Sequence, residues 1–164
     1  MNHMDIDWAE IQSFFFRAML NGWINDDRKP WLIPPGGVLP GFKGFYFPNG
    51  ALDLMDQWSK SSKSGKSAGQ TIIWHNQTPI WIMHYGGVYK KEALPFLKEV
   101  LRKTYSEETF FGGRGSAQIF GDKLTYVNSV EKDSFTMFSG HEEIIENDDF
   151  RQLGFHDYWG MSLI

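Results

Sequence analysis

Residues 52–58 read LDLMDQW and residues 67–87 read SAGQTIIWHNQTPIWIMHYGG; later, residues 124–130 read LTYVNSV and residues 138–160 read FSGHEEIIENDDFRQLGFHDYWG. Set side by side, the two stretches look like copies. Gly69 aligns with Gly140, Ile73 with Ile144, Asn76 with Asn147 and, after a one-residue slip, His84 with His156. A repeat of this kind sets the architecture before any single motif is weighed. Each copy holds three runs of strand character, at about 52–58, 70–74 and 80–85, then 123–129, 141–146 and 152–158. Aromatic and β-branched residues fill these runs. Turn chemistry separates the last two of each set: Asn76 to Pro79 in one copy, Asn147-Asp148-Asp149 in the other. The run Ile80-Trp81-Ile82-Met83 is apolar on both faces, which suits a central strand.

A helix precedes each set. Asp7 and Glu10 form a capping box, and Trp8, Ile11, Phe15, Ala18 and Met19 follow at helical spacing until Asn21-Gly22. Leu94, Leu97, Leu101 and Tyr105 mark a second helix over 92–105, with Pro95 tolerable only in its first turn. Residues 30–50 hold five prolines and five glycines, and are expected as an ordered loop with at most short edge strands. Residues 59–67 (SKSSKSGKS) read as a mobile polar hairpin loop, and 109–121 as a glycine-rich connection. The expectation is an α+β fold: a tandem duplicated helix plus three-strand meander, giving one curved antiparallel sheet of about six strands with two helices on one face. Residues 1–164 form a single domain built of two similar halves, about 5–88 and 90–164.

Composition narrows the function classes. A formal net charge of -4 argues against nucleic acid or an anionic membrane as the main partner. The chain has no cysteine, which excludes disulfides, thiolate metal sites and a cysteine nucleophile. Met1 to Trp8 carry acids and no apolar core, so no leader is expected and a cytoplasmic setting is the default. No apolar run is long enough to span a bilayer. Aromatic residues reach 16%, enough to line a stacking pocket as well as fill a core.

The same residues carry a resemblance. The first segment holds Gly69, Trp74, Pro79, Trp81, Met83, His84, Tyr85 and Gly87; the second holds Arg114-Gly115, Tyr126 to Asn128, Phe138 to Glu142, and Phe155-His156. This pattern resembles a bacterial family known only as a domain of unknown function, whose members also occur fused behind helix-turn-helix domains of regulators. Thr71 stands where the pattern has Glu, and His84 where it has Asn. The resemblance implies a fold type, not a reaction.

Each remaining motif has a plain structural role beside its chemical one. Gly65-Lys66-Ser67 resembles the end of a phosphate loop but lacks the first glycine. Gly112-Gly113-Arg114-Gly115 can form an anion nest, or simply carry an arginine to an acid. His75, His84, His141 and His156 lack metal-ligand spacing, so no metal and no cofactor are expected. A nucleophile triad built on His156-Asp157 with Ser129, Ser134 or Ser139 fails because adjacent strand residues point to opposite faces. Glu142 and Glu146 share a strand face, where like charge can raise one pKa. The leading expectation is a binding domain that holds a small ligand or peptide in an aromatic groove between the repeats. Its site residues would be Trp81, His84, Tyr85, Arg114, Glu142, His156 and Trp159. The alternatives are an acid/base enzyme using Glu142 with His84 or His156, and a homodimer or other homo-oligomeric interaction domain.

Overall fold

Alternation of side chains along strands decides which residues meet the helices, and the chain obeys it closely. A computed structural model describes residues 6–28 and 32–164. The sequence readings that fall on Met1 to Asp5 and on Pro30 lie outside the described residues. Helix α1 (Trp8–Leu20) is followed by strands β1 (Lys43–Asn49), β2 (Leu52–Lys60), β3 (Lys66–His75) and β4 (Thr78–Tyr89). Helix α2 (Leu94–Ser106) is followed by β5 (Gln118–Phe120), β6 (Leu124–Ser134), β7 (Met137–Glu146) and β8 (Gln152–Ser162). All eight strands form one antiparallel sheet in the order β1-β2-β3-β4-β8-β7-β6-β5. Each helix thus precedes a four-stranded meander, and the meanders join at their last strands.

The expected count of about six strands is corrected to eight. Both extra strands are sheet edges. β1 contains Gly44 and Pro48, residues that read as loop but are tolerated in an edge strand. β5 is three residues long, too short to show a period. The aromatics of the supposed loop are strand residues: Phe45 is buried and Phe47 packs on Phe14 at 5.9 Å between ring centroids. The polar hairpin loop shrinks to residues 61–65, closed by the Gly65 N–H donating to the Ser61 carbonyl.

Asp7 caps α1 by accepting from the Ala9 and Glu10 N–H groups. No return bond from Glu10 is present among the described hydrogen bonds, so the cap is one-sided. α1 buries Ile11, Phe14, Phe15, Phe16, Ala18 and Met19, and α2 buries Leu97, Val100, Leu101 and Tyr105. These pack in one core with Leu54, Ile73, Trp81, Met83, Tyr126, Phe138, Ile144 and Tyr158 from the sheet. The opposite face is more open: Trp159, Met161 and Met137 are exposed there. Part of it is covered near β2, where the Leu39 N–H donates to Gln57. β4 is central, but Ile82 and His84 on its outer side are only partly buried.

Register reveals matched chemistry in the two meanders. Gly69 faces Tyr85 and Asp56 faces Thr71; Gly140 faces Tyr158 and Asn128 faces Glu142. The Tyr85 hydroxyl crosses Gly69 to donate to Asp56 (2.9 Å), and the Tyr158 hydroxyl crosses Gly140 to donate to Asn128 (2.6 Å). Glycine is required at both crossings. A Cβ on Gly140 would lie 2.3 Å from the Tyr158 hydroxyl and 2.6 Å from the Ser129 carbonyl oxygen. Gly140→Ala is expected to destabilise the fold by about 1–3 kcal/mol, measured by urea unfolding, because the ring must leave Asn128. The same registers correct the pairing of His84 with His156. The residue opposite Thr71 is Met83, as His156 is opposite Glu142, so His156 corresponds to Met83.

Candidate functional site

Polar residues on the helix-facing side of the sheet must be paired or must serve a ligand. Most of them meet at one place, drawn from β2, β3, β4, β6, β7 and β8. Glu142 has no exposed surface. Its Oε1 accepts from Arg114 Nε (3.0 Å) and Nη2 (2.6 Å), and its Oε2 accepts from the Tyr126 hydroxyl (2.6 Å). Burial alone would raise the Glu142 pKa. The Arg114 charge and the hydrogen bonds outweigh it and pull the carboxyl down to about 2.

The glycine-rich connection positions Arg114. Gly112 and Gly113 take positive φ, and Asn128 Nδ2 ties down the Phe111 and Gly115 carbonyls. The Gly115 N–H goes to the Tyr126 hydroxyl and the Arg114 N–H to Phe111. With those two amides engaged, the segment delivers a guanidinium to an acid.

A second acid lies nearby. Asp56 is 3% exposed. Its Oδ1 accepts from the Thr71 hydroxyl (2.8 Å) and the Tyr85 hydroxyl, while Oδ2 takes no hydrogen bond from the described residues. Burial pushes its pKa up to about 6, with Thr71, Tyr85 and Arg114 pulling back. His156 is desolvated, which lowers its pKa and keeps the ring neutral near pH 7. Its Nε2 is 3.3 Å from Ser67 Oγ and its Nδ1 is 3.5 Å from Glu142 Oε1, too long for a good hydrogen bond. The buried Tyr89 hydroxyl also lacks a hydrogen-bond partner.

A cavity of about 120 Å³ opens above this floor, with room for several waters or a small ring. Asp56, Tyr85, Tyr89, Arg114 and His156 line it from the sheet side. Leu94, Leu97, Leu101 and Tyr105 of α2 form the opposite wall; Met19, Trp23, Ile24 and Trp58 close the sides, and Lys60, Gly65 and Ser67 stand at the hairpin end.

Of the residues nominated from sequence, Tyr85, Arg114, Glu142 and His156 come together here. Trp81 sits in the core, with its indole N–H donating to the Phe135 carbonyl (2.7 Å) and its ring stacked on Phe135 and Phe138. His84 and Trp159 stack on each other at 4.7 Å on the opposite face of the sheet. Trp159→Ala is therefore expected to change thermal stability by less than about 1 kcal/mol and to leave ligand binding in the cavity unchanged. The structure adds Asp56, Trp58, Tyr89 and Ser67 to the lining. Asp56 was legible as the one charge on the buried parity of LDLMDQW, two residues past Leu54. Among the described residues, no three His, Asp or Glu side chains converge as a metal site. Glu146, on the Glu142 face, pairs instead with Arg151 (2.6 Å). His141 pairs with Asp157 (2.7 Å) on the outer face. Gly65-Lys66-Ser67 leads into a strand, not a helix.

Residues 63–160 match the family model described as Domain of unknown function (DUF5680). The chain belongs to the DUF5680 family. Its matched segment runs from the β2–β3 hairpin to near the end of β8, so it contains Tyr85, Arg114, Tyr126, Glu142 and His156. Asp56, Trp58 and Lys60, which complete the cavity, precede the DUF5680 segment. No curated protein and no solved structure matches the chain. Among the described residues, no helix of this DUF5680 protein is long and apolar enough to cross a membrane.

Proposed function

We propose that this chain is a non-enzymatic binding module that holds a small molecule in the cavity between its helices and its sheet. The observation that carries the reading is the cavity's make-up. Aromatic and leucine walls stand over a floor where Asp56 Oδ2 and Arg114 Nη1 have no hydrogen-bond partner among the described residues. An apolar pocket with a few convergent polar groups is the usual form of a ligand site. Its size favours a small molecule over a peptide. Ligand-observed NMR with a set of small aromatic fragments tests this. Hits are expected, and they should vanish in Leu94→Trp, which fills the cavity from its α2 wall. Hits that persist in a folded Leu94→Trp would put the site elsewhere, and a complete lack of hits would overturn the reading.

The acid/base alternative has less support. Glu142 lies close to His156, but it is ionised, fully paired and a weak base, and His84 is across the sheet. The homodimer alternative draws support from exposed Trp159, Met161 and Met137 on the open face, and sedimentation would test it. We further propose a bacterial, cytoplasmic setting. Family members fused behind helix-turn-helix domains would then report ligand to DNA. The matched Gly–Tyr crossings support descent of the two meanders from one duplicated unit.

A further inference from the structure

The cavity has two ends of opposite character, and β2 runs between them. Asp56, Trp58 and Lys60 occupy alternate positions of this strand, so they share the helix-facing side. Successive members are roughly 7 Å apart along the strand. Asp56 sits at the closed end and Lys60 at the open end. Beyond Lys60 lies an outer vestibule lined by Lys43, Ser61 and Ser62; it shares Trp23, Trp58 and Lys60 with the cavity. Trp23 and Trp58 thus stand between the cavity and the vestibule.

Charge sorts along the same line. On the floor, Arg114 is matched by Glu142, which leaves the Asp56 carboxylate as the uncompensated charge. At the mouth, neither Lys43 nor Lys60 has an ion-pair partner among the described residues. The neighbouring rings already present their faces to cations: the Arg114 guanidinium lies 5.5 Å from the Tyr85 ring centre and Lys98 Nζ 4.9 Å from that of Trp23. The counterpart position in the other meander strengthens the case. There Asn128 takes the tyrosine hydroxyl as well as Asp56 does, so packing and hydrogen bonding do not call for a charge at Asp56.

Resting on the reading of the cavity as a binding site, we infer that its ligand is a flat or aromatic small molecule with opposite charges at its two ends. Its cationic nitrogen enters first, against Asp56 Oδ2, and its anionic group stays at the mouth with Lys60 and Lys43. The ring between them passes Trp58 and Trp23.

Four probes built on one ring test each end separately: 4-(aminomethyl)benzoate, benzylamine, benzoate and benzyl alcohol. Isothermal titration on the intact chain at pH 7.5 and low salt should rank 4-(aminomethyl)benzoate tightest, with each charged end contributing roughly 10-fold over its uncharged counterpart. Asp56→Asn should erase the advantage of benzylamine over benzyl alcohol. Lys60→Gln should erase the advantage of 4-(aminomethyl)benzoate over benzylamine. Circular dichroism of both variants checks that they fold. Equal affinity for benzyl alcohol and 4-(aminomethyl)benzoate, or a preference for benzoate over benzylamine, would overturn the inference while leaving the cavity a binding site. So would an ammonium advantage that survives in Asp56→Asn. If none of the four binds, the inference is overturned, whereas the cavity reading falls only if the fragment screen also fails.

Discussion

Glu142→Gln is expected to destabilise the protein by about 3–5 kcal/mol at pH 7.5, because it leaves the Arg114 guanidinium buried without its counter-ion. For a chain of this size that is a fall in melting temperature of roughly 10–15 °C. Arg114 and Tyr126 donate to different oxygens of Glu142, so the single amide oxygen can accept from only one of them, and a hydrogen bond is lost with the charge. The pH dependence gives an independent check. The folded-state pKa of Glu142 is depressed to about 2 from an ordinary 4.5. Its stabilisation is therefore present above about pH 4.5 and is lost as pH falls towards 2. Wild type should lose stability through that window, and Glu142→Gln should show a flatter acid limb. A loss below about 1 kcal/mol would mean that the pair is solvated and contributes as little as a surface ion pair.

Asp56→Asn should act in the opposite direction. The carboxyl is buried and its folded pKa is raised to about 6 from 3.8. A raised pKa means that the folded state holds the proton more tightly than the unfolded chain. The stability this contributes is complete below about pH 3.8 and disappears as pH rises through 6. At pH 7.5 the ionised Asp56 therefore lowers stability relative to the protonated form by on the order of 3 kcal/mol. Asparagine keeps the acceptor for Thr71 and Tyr85 and removes the charge. A gain of about 2–3 kcal/mol at pH 7.5, with little gain at pH 4, is the expected outcome of denaturant titrations at the two pH values. A loss at pH 7.5 would show that the carboxylate supports the fold, and Asp56 would drop out of the functional argument. A gain would place Asp56 among residues kept at the expense of stability, as binding sites often require.

The core of the sheet was legible because its strands are long and strongly patterned. β8 alternates over most of its length, β4 carries a continuous apolar run at Ile80–Met83, and their turn residues stand where the chain reverses. The edges were not legible. Pro48 and Gly44 look like loop unless one knows that β1 is an edge strand, and three residues of β5 give no period to read. In the site, charge was a good guide and resemblance an uneven one. Arg114, Glu142 and His156 were nominated and lie together. His84 and Trp159 were nominated because they are large and repeated, although each is an odd number of residues from its inward neighbours, Tyr85 and His156. Parity along the strand separates them. Strand parity alone puts Asp56, and not Asp53, on the buried side of β2, but only the third dimension shows that its hydrogen-bond partners are neutral hydroxyls.

The junction of β4 with β8 has a consequence for how the chain reaches this state. Every other ladder joins strands that are neighbours in sequence, so each half can zip locally and early. Tyr85 must find Tyr158, and Gly87 must dock under the Phe155 carbonyl, across an intervening helix and three strands. Loop-closure entropy makes that encounter the slow one. Substitutions along this seam should slow refolding more than equivalent changes at the β1–β2 ladder.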